Sequence, residues 1–160
     1  MEPATTPQQK EQSSTSSEAP KIVTRTATAN WQGDLKEGKG KLSTTSGVLK
    51  ETNYSFKTRF ESGEAGTNPE ELLAAAHAGC FTMAVAAMLT KKGLKPTALD
   101  TTASVQMEGL SITGIRLSIT GTIPGITVED FTLVSREAEK NCMISKIISI
   151  PISSEAILVS

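Results

Sequence analysis

Residues 68–96 constrain this chain more than any other stretch, because helix-start chemistry opens them, helix-stop chemistry closes them and almost everything between is apolar. Asn68 can cap, Pro69 suits the first helical position, and Glu71 sits where a capping-box acid would. The spacing therefore predicts a helix from about Pro69 to Lys92, stopped by Gly93 and Pro96. Leu72, Leu73, Ala75, Ala76, Phe81, Met83, Ala84, Val85, Ala87, Met88 and Leu89 make it apolar on nearly every side, the pattern of a helix buried all round. So many alanines permit a close helix or chain partner.

Residues 1–20 are almost wholly Pro, Gln, Ser, Thr, Glu and Ala without apolar periodicity, and read as a flexible tail ahead of one domain over 21–160. Strands are expected over 22–29, 41–49 and 53–60, separated by turns such as Glu37-Gly38-Lys39-Gly40. Beyond the helix, 99–107 and 111–123 read as a second strand pair, with alternation in Ile115-Arg116-Leu117-Ser118-Ile119-Thr120. Thr127, with Asp130 three positions on, caps a second helix to about Lys140. Cys142 follows at a junction, then a short helical turn, Pro151 and a last strand over 154–159. The order βββ-α-ββ-α-(α)-β predicts an α+β domain, an antiparallel sheet with helices packed on one face.

Sixteen Lys and Arg against seventeen Asp and Glu leave a formal charge of -1, which supplies no basic field for nucleic acid or an anionic membrane surface. No apolar run is expected to reach the roughly 18 to 20 residues of a membrane span, and no charged-then-apolar leader opens the chain. A soluble, cytoplasmic protein is the expectation. Two cysteines in such a chain suggest reactive or buried thiols rather than a disulfide framework.

Only a thiolate attacks, so a reactive cysteine needs a positive neighbour, a helix N-terminus or a metal. Cys80 lies eleven residues after Pro69, roughly 16 Å along the axis, beyond the reach of the helix dipole. A zinc site from His77, Cys80 and Cys142 lacks a second ligand pair. Arg59, at an expected strand end, is the remaining strong cation. Glu70 lies about 80° round the helix from Cys80 and Glu71 about 180°, which favours Glu70 as the acid orienting the guanidinium and Glu71 as a cap. Glu70 would stand some 15 Å from Cys80 and so reach the site through Arg59 or from a second subunit. His77, one turn before Cys80, reads as a satisfied buried histidine or as a base. Lys91 and Lys92 complement the helix C-terminus.

The segments Trp31-Gln32-Gly33-Asp34-Leu35-Lys36-Glu37-Gly38-Lys39-Gly40, Thr58-Arg59-Phe60-Glu61, Gly66-Thr67-Asn68-Pro69-Glu70-Glu71-Leu72, Ala76-His77-Ala78-Gly79-Cys80-Phe81 and Leu99-Asp100-Thr101-Thr102-Ala103 resemble the OsmC branch of the OsmC/Ohr family of thiol peroxidases, over about residues 24–159. The resemblance implies an intertwined homodimer with active sites at its interface and Cys-dependent reduction of organic hydroperoxides. It places Cys80 as the attacking cysteine, Cys142 as the resolving one, Arg59 as the arginine and Glu70 as its carboxylate partner. The Gly33-Asp34-Leu35-Lys36 turn lacks the Gly-Gly-Arg arrangement of the Ohr branch, and Met143 stands where a proline commonly follows the second cysteine. In the implied cycle Cys80 is oxidised to a sulfenic acid, condenses with Cys142 and is reset by an external dithiol, whether a lipoyl protein, thioredoxin or a small dithiol. No metal or cofactor is implied. Leu73, Phe81, Met83 and Met88 suggest apolar surroundings suited to alkyl or lipid hydroperoxides. The alternative from another class is a non-enzymatic dimeric ligand-binding or stress-interaction module on the same fold.

Overall fold

In the computed structural model, which describes residues 19–159, the long helix starts and stops where its caps require. It spans Pro69–Lys91, with the Asn68 side chain accepting from the Glu71 amide at 2.8 Å and Gly93 leaving the last turn at φ +74°. The expected tail, residues 1–20, falls almost entirely outside the described residues, which begin at 19.

Among the described residues ten elements follow one another: β1 (Ala27–Gln32), β2 (Lys39–Thr44), β3 (Thr52–Ser55), α1 (Phe56–Phe60), α2 (Pro69–Lys91), β4 (Ala98–Glu108), β5 (Ser111–Thr122), α3 (Val128–Asn141), α4 (Met143–Ile147) and β6 (Ile152–Leu158). The class is α+β, but the single antiparallel sheet expected from sequence is corrected to two sheets of three strands. In the first, β1-β2-β3 form an antiparallel meander. The second is mixed, because β5 pairs β4 antiparallel and β6 parallel. A parallel neighbour needs a long crossover, and α3 with α4 supplies it.

Three local expectations also change. The first strand begins at Ala27 rather than Ile22, and Ile22 is exposed, because the register is set by Ala27 facing Thr44 and Gln32 facing Lys39. The second ends at Thr44, where a turn closes through the Gly47 amide donating to the Thr44 carbonyl. The third stops at Ser55, which with Thr58 forms a reciprocal capping box and turns 56–60 into α1. Arg59 therefore rides on a short helix and not on a strand end.

The core lies between the second sheet and its helices. Phe81, Val85 and Leu89 of α2 meet Ile115, Leu117 and Ile119 of β5 and Phe131, Val134 and Ala138 of α3, each large side chain contributing roughly 1.5–3 kcal/mol by leaving water. Alternation along β5 produces this face, while Arg116 on the other pairs with Glu155 of β6 at 2.7 Å. Gly121 ends the buried row because a Cβ there would lie 2.7 Å from the Phe131 ring. Gly121→Ala is expected to destabilise the fold by about 1–3 kcal/mol, read as a lower denaturant midpoint at unchanged slope.

Among the described residues, two surfaces lack partners within a single chain. The residues of α2 that are buried, Glu70, His77, Phe81, Val85 and Leu89, form one stripe, and only 22 % of its apolar window is covered. The helix is thus not buried all round within one protomer. It is also long and apolar enough to cross a membrane, against the sequence expectation, since no Asp, Glu, Lys or Arg falls between Leu72 and Leu89. The meander is equally bare: every residue of β1 is exposed, and the sheet has no extensive packing on α2, α3 or the second sheet.

Candidate active site

Packing of α2 against α4 brings together two cysteines sixty-two positions apart in sequence. Cys80 is half-buried midway along α2, and Cys142 is 1 % exposed at the junction where α3 ends and α4 begins. Both are free thiols, and each sulfur acts on the titration of the other.

Their surroundings differ in donors. Burial pushes the Cys80 thiol up, the facing Cys142 adds to this, and the amides of Ile144 and Met143 oppose it without prevailing. Burial also works against a charged Cys142, but the Cys80 thiol, the Ser145 amide and hydroxyl and the Ile144 amide together bring it below the ordinary thiol value. The donors of one protomer thus gather at Cys142 rather than at Cys80. Met143 at the first position of α4 retains an N–H directed at Cys80, which a proline there would lack.

Arg59 and Glu70 form the second cluster. The guanidinium donates from Nε at 2.9 Å and from Nη2 at 2.5 Å to one carboxylate oxygen, Glu70 Oε1. Glu70 is 6 % exposed and its other oxygen, Oε2, has no partner among the described residues. Burial would raise this carboxyl, but hydrogen bonding and charge from Arg59, with the helix-start amide, hold it below the usual glutamate value. Glu71 points to the cap at Asn68, so the two adjacent acids divide as their helical angles require. A folded-state pKa below the unfolded 4.5 means that the unfolded chain binds more protons in between. The contribution is present above pH 4.5 and is lost as the pH falls through the folded value. Relative to Glu70→Gln, the parent protein is expected to lose denaturant resistance on acidification across that window.

The two clusters do not meet in one chain. Among the described residues no cation acts on Cys80, and none of the groups acting on Arg59 is a thiol. Along straight α2, Glu70 and Cys80 are separated by roughly 15 Å.

Beside Arg59 opens a cavity of about 270 Å³ lined by Trp31, Leu35, Tyr54, Ser55, Phe56 and Pro69. The Trp31 and Tyr54 rings meet in a tilted pair, centroids 5.4 Å apart and planes at 56°, and Gly40 lets the Tyr54 ring lie against the strand, since a Cβ there would collide with it. Of the apolar surroundings expected for Cys80, Phe81 is in the core, Leu73, Met88 and Cys80 itself pack against that core, and Met83 is 74 % exposed; a separate apolar cavity belongs to the guanidinium. Its lining was missed from sequence, although the signal was present in the chain's single Trp and single Tyr, two strands apart. Ser145 was missed as well, and His77 is half-satisfied rather than satisfied, with Nε2 2.8 Å from Ser145 Oγ and Nδ1 unpartnered.

The model of the OsmC-like protein family matches residues 61–155, which contain Glu70, Cys80 and Cys142. Peroxiredoxin OsmC of Escherichia coli strain K12 is 46 % identical over 129 residues, covering 78 % of this chain and 90 % of that protein, and the protein of the same name from Shigella flexneri matches equally. The fold is shared with an organic hydroperoxide resistance protein of Elizabethkingia anophelis, at TM-score 0.65, 23 % identity and coverage of 89 % of this chain and 99 % of that one. It is also shared with an OsmC-like protein of unknown function from Vibrio cholerae, at TM-score 0.67, 17 % identity and coverage of 85 % and 100 %. By the span of the family match and by its identity to curated relatives along most of its length, the chain belongs to the OsmC family.

Proposed function

We propose that this peroxiredoxin-like enzyme reduces organic hydroperoxides to alcohols through Cys80 and Cys142. The observation that carries the reading is the meeting of two free thiols from distant parts of the chain. The Cys80 thiolate attacks the distal peroxide oxygen, the S–O bond forms as O–O breaks, and the alkoxide leaves with a proton as alcohol. Cys80 is then a sulfenic acid. Cys142 attacks its sulfur, a disulfide forms and hydroxide leaves as water, after which an external dithiol returns both thiols and is itself oxidised. Such a cycle suits the reducing cytoplasm, which keeps the resting pair free.

The complete site is that of a homodimer. A helix with an uncovered apolar face and a sheet without a core both call for a large apolar partner, and a second copy offers both surfaces at once. In that arrangement the partner's Arg59 reaches Cys80, favours the thiolate of the attacking sulfur and stabilises charge on the leaving oxygen. The cavity beside the guanidinium would take the alkyl portion of the substrate.

Reduced protein incubated with cumene hydroperoxide and a dithiol is expected to consume the peroxide catalytically, with a Cys80–Cys142 disulfide found by mass spectrometry when the dithiol is withheld. Unconsumed hydroperoxide with an unmodified Cys80 would instead leave a ligand-binding module on the same fold.

A further inference from the structure

His77, the only histidine of the chain, is wholly buried although nothing in the cycle above uses it. It belongs to the buried stripe of α2, and its Nε2 lies 2.8 Å from Ser145 Oγ on α4, across sixty-eight positions of chain. Its Nδ1 has no partner among the described residues, so a ring proton placed there would be a buried N–H with nothing to receive it. The proton therefore belongs on Nε2, and Ser145 Oγ accepts it.

The element held by this bond has little else to hold it. α4 is a turn of five residues, Met143–Ile147, with no side-chain bond capping its start and no buried residue of its own, and so short a helix does not persist without tertiary support. Ile144, and Ile148 just beyond the helix, pack against the core. Among the described residues the His77–Ser145 bond is the only side-chain hydrogen bond tying α4 to the rest of the fold. Cys142 is the joint between α3 and α4: its amide donates to the Ala138 carbonyl at 2.8 Å, and its carbonyl accepts from the Lys146 amide at 3.1 Å. Where its side chain points thus depends on α4 staying in place. Cys142 stands three residues before Ser145 and Cys80 three after His77, so each thiol lies about one helical turn from the bond.

We propose that the His77–Ser145 hydrogen bond is a latch that seats α4 on α2 and so keeps Cys142 in place for the resolving step, with His77 and Ser145 as positioning residues. The inference rests on the peroxidase reading for the purpose of the latch, though not for its existence. In the step served, the Cys142 thiolate gives its electron pair to the sulfur of the Cys80 sulfenic acid. The S–S bond forms, the S–O bond breaks, and the departing hydroxide recovers the proton Cys142 gave up, so that sulfenic acid plus thiol become disulfide plus water. A seated α4 keeps the second thiol within reach of the first, whereas a frayed α4 presents it only part of the time. Because Cys142 is 1 % exposed, the same fraying would open it to solvent.

The test begins in a Cys80→Ser background, where Cys142 is the chain's one thiol. Its alkylation by iodoacetamide is followed, with circular dichroism to establish folding. Ser145→Ala is expected to speed alkylation about tenfold, because a buried thiol reacts through local opening and the variant lacks one hydrogen bond of the closed state. The sign separates the latch from a direct effect of the hydroxyl on sulfur, since removing a donor that favours the thiolate would slow alkylation. Ser145→Thr, which keeps the hydroxyl, should restore the slow rate. His77→Gln, which retains a donor near Nε2, should stay close to the parent, whereas His77→Leu should follow Ser145→Ala. Alkylation of Ser145→Ala at or below the parent's rate overturns the latch, even should the histidine variants fail to fold. With both cysteines present and one equivalent of cumene hydroperoxide, Ser145→Ala should slow disulfide formation about tenfold relative to loss of the hydroperoxide, and dimedone should trap the persisting sulfenic acid. An unchanged ratio of the two rates overturns the positioning role. If the parent protein forms neither sulfenic acid nor disulfide while Ser145→Ala still speeds alkylation, the latch stands and the peroxidase reading falls.

Discussion

Cys80→Ser should lower hydroperoxide turnover by on the order of 10³-fold or more, to the uncatalysed background, because no other group in the chain can take over the attack. Cys142 is the only other thiol, and at 1 % exposure it has no approach for a peroxide. The serine variant should fold as the parent does, since a hydroxyl of similar size at a half-buried position keeps the packing of α2 against α4. Cys142→Ser should behave differently: one equivalent of hydroperoxide is still consumed, leaving Cys80 as a trappable sulfenic acid and no disulfide. Residual turnover in Cys80→Ser above that of heat-denatured protein would remove Cys80 from the role of nucleophile.

Arg59→Met should reduce turnover by about 10²–10³-fold, the range measured for removing one preorganised donor from a developing negative charge. Met in place of Arg also strands the Glu70 carboxylate, 6 % exposed and already lacking a partner for Oε2, so Arg59→Met combined with Glu70→Gln is the cleaner variant. Subunit mixing then reads which chain supplies the arginine. If the partner supplies it, a refolded equimolar mixture of the Cys80→Ser and Arg59→Met proteins contains sites that combine an intact Cys80 with an intact Arg59, about a quarter of the total by random pairing. Activity should rise accordingly from two nearly inactive parents. No recovery from a mixture shown to have exchanged subunits would place both groups in one chain and sink the shared site.

Much of the candidate site was legible residue by residue. The angles of Glu70 and Glu71 on one helix sorted the acid that meets Arg59 from the acid that caps, and the structure places them so. Helix caps at Asn68 and Thr127 fall where their side chains predict, because N-cap chemistry is local. The capping box at Ser55 and Thr58 is also local, yet it lay inside a run that alternates like a strand, and the cap prevailed over the pattern. What could not be read was anything fixed by chain crossing: the parallel pairing of β6, the cavity lined by Trp31 and Tyr54, and the approach of Ser145 to His77.

By itself the amino-acid order determined the long apolar helix, its ends, the alternating face of β5 and the family, since caps, periodicity and motif spacing are properties of neighbouring residues. Tertiary structure alone decided that the two thiols face each other while the arginine and its carboxylate stand apart from them, because such distances are set by how helices and sheets pack across tens of residues. The uncovered face of α2 and the bare meander belong to that same level, where burial depends on which surfaces a folded chain leaves unpaired.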